Sequence, residues 1–149
     1  MRLAIVLLAA VTAAAEKPAG NPSDDLARVQ AEPRPDKRAH AALDNADDAL
    51  KEAREAYAKG DNAETNARLE EVQQSVELAD LSLKATGKNP SRSPKHFKEA
   101  ELKTRNILRK LDGFREQMSV VDRPALEKVM VVVQKVHDEL LDGIMGKRK

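Results

Sequence analysis

The fold is decided by residues 36–87, DKRAHAALDNADDALKEAREAYAKGDNAETNARLEEVQQSVELADLSLKATG. In each half of this stretch, small or apolar residues recur every three or four positions, which places them on one face of a helix. Between the halves stands Lys59-Gly60-Asp61. Glycine commonly ends a helix and aspartate commonly begins one, so the stretch predicts two helices that fold back on each other. The predicted buried seam contains Ala39, Leu43, Ala46, Leu50, Ala53 and Tyr57, followed by Leu69, Val72, Val76, Ala79 and Leu83.

The rest of the chain predicts a second hairpin. Residues 87–94 (GKNPSRSP) form a loop. A third helix runs from Pro94 to about Met118, and Asp122-Arg123-Pro124 separates it from a fourth that ends near Met145. The seams are Phe97, Glu101, Thr104, Leu108, Leu111, Phe114 and Met118, then Leu126, Met130, Val133, His137, Leu140 and Ile144. The prediction for residues 36–149 is therefore an all-α, antiparallel up-down-up-down four-helix bundle made of two helical hairpins.

The first 35 residues have a different composition. Residues 1–15 combine Arg2, the apolar run LAIVLLAAV and three alanines, a pattern typical of a cleavable signal peptide. The apolar run is shorter than the roughly 20 residues that span a bilayer, and the alternative is a buried N-terminal helix. Residues 16–35 hold four prolines and predict a flexible linker with a short helix near residues 24–32. We expect a periplasmic or secreted protein with no stable membrane anchor after signal cleavage.

Composition excludes several classes of protein. The chain has no cysteine, which rules out disulfides, thiolate metal sites and a cysteine nucleophile. One Tyr, two Phe and no Trp are too few for a surface on which sugars or single-stranded nucleic acids stack. Without residues 1–15 the chain has 25 basic and 25 acidic residues, so its net charge does not favour nucleic acid. Residues 36–87 carry a net charge of −5 and residues 88–149 a net charge of +6, so the hairpins should attract each other.

The three histidines are the positions to test for a metal or ligand. Di-metal bundles place Glu three residues before His, but Lys37, Ser93 and Gln134 precede His40, His96 and His137 at that distance. His137 lies on the fourth seam, where a histidine bonded to a neighbouring side chain is the ordinary expectation. Met118 is too far along its helix to share a haem iron with His137. No phosphate loop or nucleophile–base pattern is present, so we predict no catalytic residue, metal ligand or cofactor.

The turn between the first two helices has a partial resemblance to a known repeat. Residues 56–61 (AYAKGD) resemble the Tyr-x-x-Gly-Asp turn of tetratricopeptide repeats. Five residues after the glycine, where that repeat has alanine, this chain has Thr65, and no second copy follows. The Leu-Thr-x-x-Gln signature of exported helical stress chaperones is absent. The sequence therefore assigns no family.

The function predicted from these observations is that of an exported, non-enzymatic helical-bundle protein that binds a protein partner or itself. The expected surface is the apolar face of the fourth helix, which is wider than one seam requires because of Val129, Val131, Val132, Val136 and Leu141. The alternative is a periplasmic bundle that binds a ligand or metal in its interior, around His137. Basic residues of the third helix alternate with acids and predict a solvated face, so nucleic acid is not an expected partner.

Overall fold

The structure, a computed structural model, describes residues 22–147, and every regular element among them is a helix. The elements are α1 Pro22–Gln30, α2 Pro35–Ala58, α3 Asn62–Ala85, α4 Lys95–Gln117 and α5 Arg123–Ile144. The predicted all-α class is confirmed, as a helical bundle. The structure has five helices where the predicted bundle has four, because α1, in the segment predicted as a linker with a short helix, packs against α2 and α3. The predicted signal peptide, residues 1–15, and the start of the predicted linker lie outside the described residues.

The turn between α2 and α3 forms where the sequence predicts it, for local reasons. Gly60 has a φ of 75°, a left-handed conformation that glycine adopts without steric cost. The Asp61 carboxylate accepts a hydrogen bond of 3.0 Å from the backbone N–H of Glu64 and so satisfies one donor at the start of α3. These two residues end one helix and begin the next within a few positions.

A row of alanines allows α2 and α3 to pack closely. Small side chains permit a short distance between helix axes, and the buried alanines of α2 are Ala39, Ala42, Ala46, Ala49, Ala53 and Ala56. Across this interface Arg38 contacts Ser82, Asn45 contacts Ser75 and Glu52 contacts Arg68. Residue numbers rise along α2 as they fall along α3, so these two helices run in opposite directions.

The second pair of helices packs beside the first. His137 of α5 lies next to Thr104 of α4, at 3.2 Å. α2 borders α3 and α4, and α5 borders the same two helices. Residues 86–94 therefore connect α3 to a helix with which it has little contact. This connection packs closely on the end of α5, because a Cβ added at Gly143 would lie 3.2 Å from Pro90 Cγ.

Ion pairs between the two hairpins follow the predicted separation of charge. Lys103 and Lys110 of α4 pair with Asp44 and Asp47 of α2, the second pair at 2.5 Å. On the other side of the bundle, Lys84 Nζ lies 3.3 Å from the Glu139 carboxylate. Attraction between the acidic and basic hairpins is thus visible as specific contacts.

The core agrees with most predicted seam positions. Four hydrophobic seam residues are only partly buried, and in α4 the buried residue is Ile107 instead of its neighbour Leu108; the four are Tyr57, Leu108, Met130 and Ile144. Arg68, Ser75 and Ser82 of α3 are buried, although none of them is in the predicted seam. Val129 and Val136 are also buried, so much of the additional apolar width of α5 belongs to the core. The short helix α1 lies against α2 and α3, and its Leu26 is buried.

Candidate functional site

The buried polar contacts between α2 and α3 recur at regular intervals. Arg38 Nε donates to Ser82 Oγ at 2.9 Å. Seven residues further along α2, Asn45 Nδ2 donates to Ser75 Oγ at 2.9 Å and to Glu71 Oε1 at 3.1 Å. Another seven residues on, Glu52 meets Arg68. Since a spacing of seven returns to the same face of a packed helix, these contacts form a polar row along one side of the hairpin.

Arg68 is the centre of this row, and its side chain is 2% exposed. Its guanidinium lies 2.7 Å from Glu52, 2.7 Å from Glu64 and 3.2 Å from Glu71. The contact with Glu52 is an ion pair without hydrogen-bond geometry, whereas Nε donates to Glu64 and Nη1 to Glu71. A buried guanidinium needs such partners, because an unpaired charge is costly to remove from water.

Burial and ion pairing act in opposite directions on these groups. Burial by itself lowers the pKa of Arg68, but the hydrogen bond to Glu64 and the charges of the glutamates outweigh it, so its pKa is raised. Burial raises the pKa of Glu71, whose side chain is 3% exposed, and Asn45 and Arg68 offset only part of that effect. Pairing therefore favours the charged form of Arg68, whereas burial disfavours the charged form of Glu71.

The groove that contains this row is covered in part by α1. Leu26 and Val29 of α1 face the hairpin, and Arg38 Nη1 donates to the backbone carbonyl of Glu32 at 2.8 Å. Where α1 leaves the groove uncovered, it forms a cavity of about 300 Å³ with Asp25 of α1 at its edge, which we call the open groove. Its lining residues are Asp25, Asn45, Asp48, Ala49, Lys51, Glu52, Glu55, Arg68 and Glu71. Five carboxylates against two cations favour a cationic group in this space.

The structure brings His40 and His96 together, which the sequence did not predict because they lie on different helices. Both line two cavities between α2 and α4, the larger about 450 Å³. His96 Nε2 is 4.0 Å from the Asp36 carboxylate, and its Nδ1 is 3.6 Å from Glu99. A hydrogen bond from Arg34 lowers the pKa of Asp36. Within residues 22–147, no group of three or more His, Asp or Glu side chains is arranged to hold a metal ion.

His137 lies apart from the other two histidines, between α4 and α5. Its Nδ1 is 3.2 Å from Thr104 Oγ1, and its Nε2 is 3.8 Å from the buried Glu101. Arg105 Nε donates to that carboxylate at 3.0 Å. The imidazole is 12% exposed and thus belongs to the packing of the second hairpin.

The turn between α4 and α5 is held by a small hydrogen-bond network. Tyr57 OH accepts from the backbone N–H of Ser119 at 2.9 Å and donates to Asp122 at 3.1 Å. The Asp122 carboxylate stands at the start of α5 but bonds these groups instead of capping the helix. Val120 and Val121, 74% and 87% exposed, project from this fixed turn.

No protein-family model, curated protein or solved structure matches this chain. Across the described residues, no helix is both long and apolar enough to cross a membrane. The residues that line the open groove were not singled out from the sequence. The signal that could have found them is the spacing of Arg68, Ser75 and Ser82, three polar residues seven positions apart on the seam side of α3.

Proposed function

We propose that this chain is an exported, non-enzymatic helical-bundle protein that acts by binding a protein partner or a second copy of itself. The observation that carries the proposal is the groove of the α2–α3 hairpin, which α1 covers along only part of its length. Leu26 of α1 is buried there, which illustrates how a helix lies in this groove. Grooves between two helices commonly receive a further helix in this way.

The open groove supports binding through its unmatched charges. Asp48 and Glu55 line it and make no ion pair with another described residue. Beneath them the network of Arg68 fixes Glu52 and Glu71 in position, so the surface is preorganised. A cationic segment of a protein partner would match this lining.

Two networks of paired polar side chains support a non-enzymatic role. Arg68 and its glutamates contact one another, and His137 contacts Thr104 in a packed interface. A nucleophile with its base requires groups that face a space where a substrate binds. These two networks instead join neighbouring helices.

The proposed architecture is an up-down-up-down bundle of α2 to α5, with α1 as an added helix. The opposed contacts of α2 with α3 and of α4 with α5 support alternating helix directions. The neighbour of α2 on its other side is α4, which runs parallel to it, since Lys103 meets Asp44 and Lys110 meets Asp47. The chain lacks cysteine, so a short bis-maleimide cross-linker can test neighbouring positions. Asp44→Cys with Lys103→Cys should cross-link within one chain, whereas Asp44→Cys with Lys135→Cys should not. The reverse result would refute this helix order.

Export is the second part of the proposal. We propose that residues 1–15 are removed, which leaves Glu16 as the first residue of a periplasmic or secreted protein. N-terminal sequencing of the protein recovered outside the cytoplasm tests this. Full-length protein confined to the cytoplasm would contradict it.

Self-association through the apolar face of α5 is one form of the proposal. Val131 supports it, because it is 70% exposed in the middle of that helix. Val129 and Val136 contribute less, since both are buried. A Val131→Lys variant that keeps the association state of the parent would exclude this surface.

The first experiment is size-exclusion chromatography with light scattering on residues 16–149, with metal analysis of the same peak. A Glu52→Gln/Glu55→Gln variant tests the open groove, and Glu70→Gln/Glu77→Gln, exposed on α3, is the matched control. Loss of a co-purifying protein or of self-association in the first variant alone is expected. A monomer that purifies without any partner would refute the proposal.

A periplasmic ligand- or metal-binding bundle is the second candidate function. The observation that favours it is the pair His40 and His96, which line the same cavities between α2 and α4. Stoichiometric metal or an absorbing ligand in the purified protein, lost in His40→Ala/His96→Ala, would support this candidate. Protein free of both would exclude it.

A further inference from the structure

We infer that the partner is a second copy of this chain, and that copies associate head to tail, the open groove of one against the basic outer face of α4 of the next. This inference rests on the proposed binding function and assigns its partner and its surfaces. We define the basic outer face as Lys98, Leu102, Arg105 and Arg109. The open groove belongs to the α2–α3 hairpin and this face belongs to the other hairpin, so one molecule carries both halves of the contact.

The acidic half of the contact is the rim of the open groove. Asp48 and Glu55 lie seven residues apart on α2, hence on one side of that helix, and both are exposed. Neither makes an ion pair with another described residue. Lys51 is the one exposed cation among the lining residues, so the rim keeps an excess of negative charge.

The basic half of the contact is a stripe on α4. Lys98, Leu102, Arg105 and Arg109 are spaced by four, three and four residues, which places them on one face of the helix. Lys98 and Arg109 make no ion pair with a described residue, and Arg105 bonds Glu101 of its own helix. Leu102 is 54% exposed at the centre of the stripe and supplies an apolar contact among the charges.

The same two helices already match charges within one molecule. Lys103 and Lys110, on another side of α4, pair with Asp44 and Asp47 of α2. Asp48 and Glu55 on α2, and Lys98 and Arg109 of the stripe on α4, make no ion pair with a described residue of the same molecule. A second copy brings these opposite charges together.

Two properties of the assembly follow. The groove and the stripe are different surfaces, so the contact is heterologous and propagates to a ring or a chain of copies. Its exposed charges make it sensitive to salt, because the screening length falls from about 10 Å at 0.1 M to about 3 Å at 1 M ionic strength.

The test is sedimentation velocity on residues 16–149 at low and high salt. We expect the wild-type chain to associate at low salt and to be monomeric at high salt. Lys98→Glu/Arg109→Glu and Asp48→Lys/Glu55→Lys should each lose association completely, and an equal mixture of the two variants should regain it, because each then offers the charge that the other lacks. Glu70→Lys/Glu77→Lys changes the net charge as much as the second variant does, and should associate as the wild type does.

A wild-type chain that is monomeric at low salt would overturn the inference, as would a mixture of the two variants that stays monomeric. The outcomes also separate this inference from the function on which it rests. A monomer that still captures a different protein, and loses it in Glu52→Gln/Glu55→Gln, overturns the second-copy partner and leaves the binding function standing. A monomer that captures nothing overturns both.

Discussion

Replacing Arg68 by methionine should destabilise the protein more than any other change of a single charged residue in the hairpin. Methionine keeps much of the side-chain volume and removes the cation that three glutamates share. Glu52 and Glu64 are 39% and 40% exposed and can regain water. Glu71 is 3% exposed, so its carboxylate would remain buried without its cation.

The magnitude follows from that remaining charge. Removing one partner of a buried ion pair costs about 3–5 kcal/mol of unfolding free energy, and the exposed glutamates place this case near the lower end. For a domain of this size, a loss of about 3 kcal/mol lowers the melting temperature by roughly 10 °C. The assay is urea and thermal unfolding followed by circular dichroism at neutral pH. Arg109→Met, on the exposed face of α4, is the control and should cost less than about 0.5 kcal/mol.

A second substitution separates the charge effect from lost packing. Adding Glu71→Gln to Arg68→Met removes the buried unpaired charge, so the double variant should recover more than half of the lost stability. A loss below about 1 kcal/mol for Arg68→Met would refute the reasoning, since burial without ion pairing cannot cost so little. The reasoning would also be refuted if Arg68→Met lost the same stability when introduced into the Glu71→Gln variant.

Three further predictions concern other contacts. Burial raises the pKa of Glu71 above 4.5, so the stability that this group contributes is fully present below pH 4.5 and is lost as pH rises through the raised pKa. The urea midpoint of Glu71→Gln should therefore rise relative to that of the wild type between acidic and neutral pH. A constant difference between the two midpoints would refute this. Tyr57→Phe removes the hydroxyl that fixes the turn between α4 and α5, so it should lower the free energy of unfolding in urea by about 1 kcal/mol. An unchanged urea midpoint would contradict that role. Gly113→Ala should raise the free energy of unfolding by about 1 kcal/mol, because the added methyl group meets no atom within 4 Å. Gly143→Ala should raise it little, because the added methyl group meets the Pro90 ring. Equal shifts of the two melting temperatures would contradict the close packing of Pro90 on Gly143.

The first hairpin could be predicted because its determinants are local. The alternation of three and four residues from Ala39 to Tyr57 places the buried residues on one face whatever packs against it. Gly60 and Asp61 act on their own backbone and on the next turn of helix. The class of fold therefore needed no knowledge of distant contacts.

The sequence by itself determined the helical class, the α2–α3 turn and the separation of acidic from basic residues, because each depends on neighbours a few positions away. Only the tertiary structure decided that Arg68 is buried, that His40 and His96 share a cavity and that Val129 faces the core. The physical reason is the same for all three. Periodicity defines a face of a helix, but the neighbour of that face decides whether a charge finds partners and whether an apolar residue meets water.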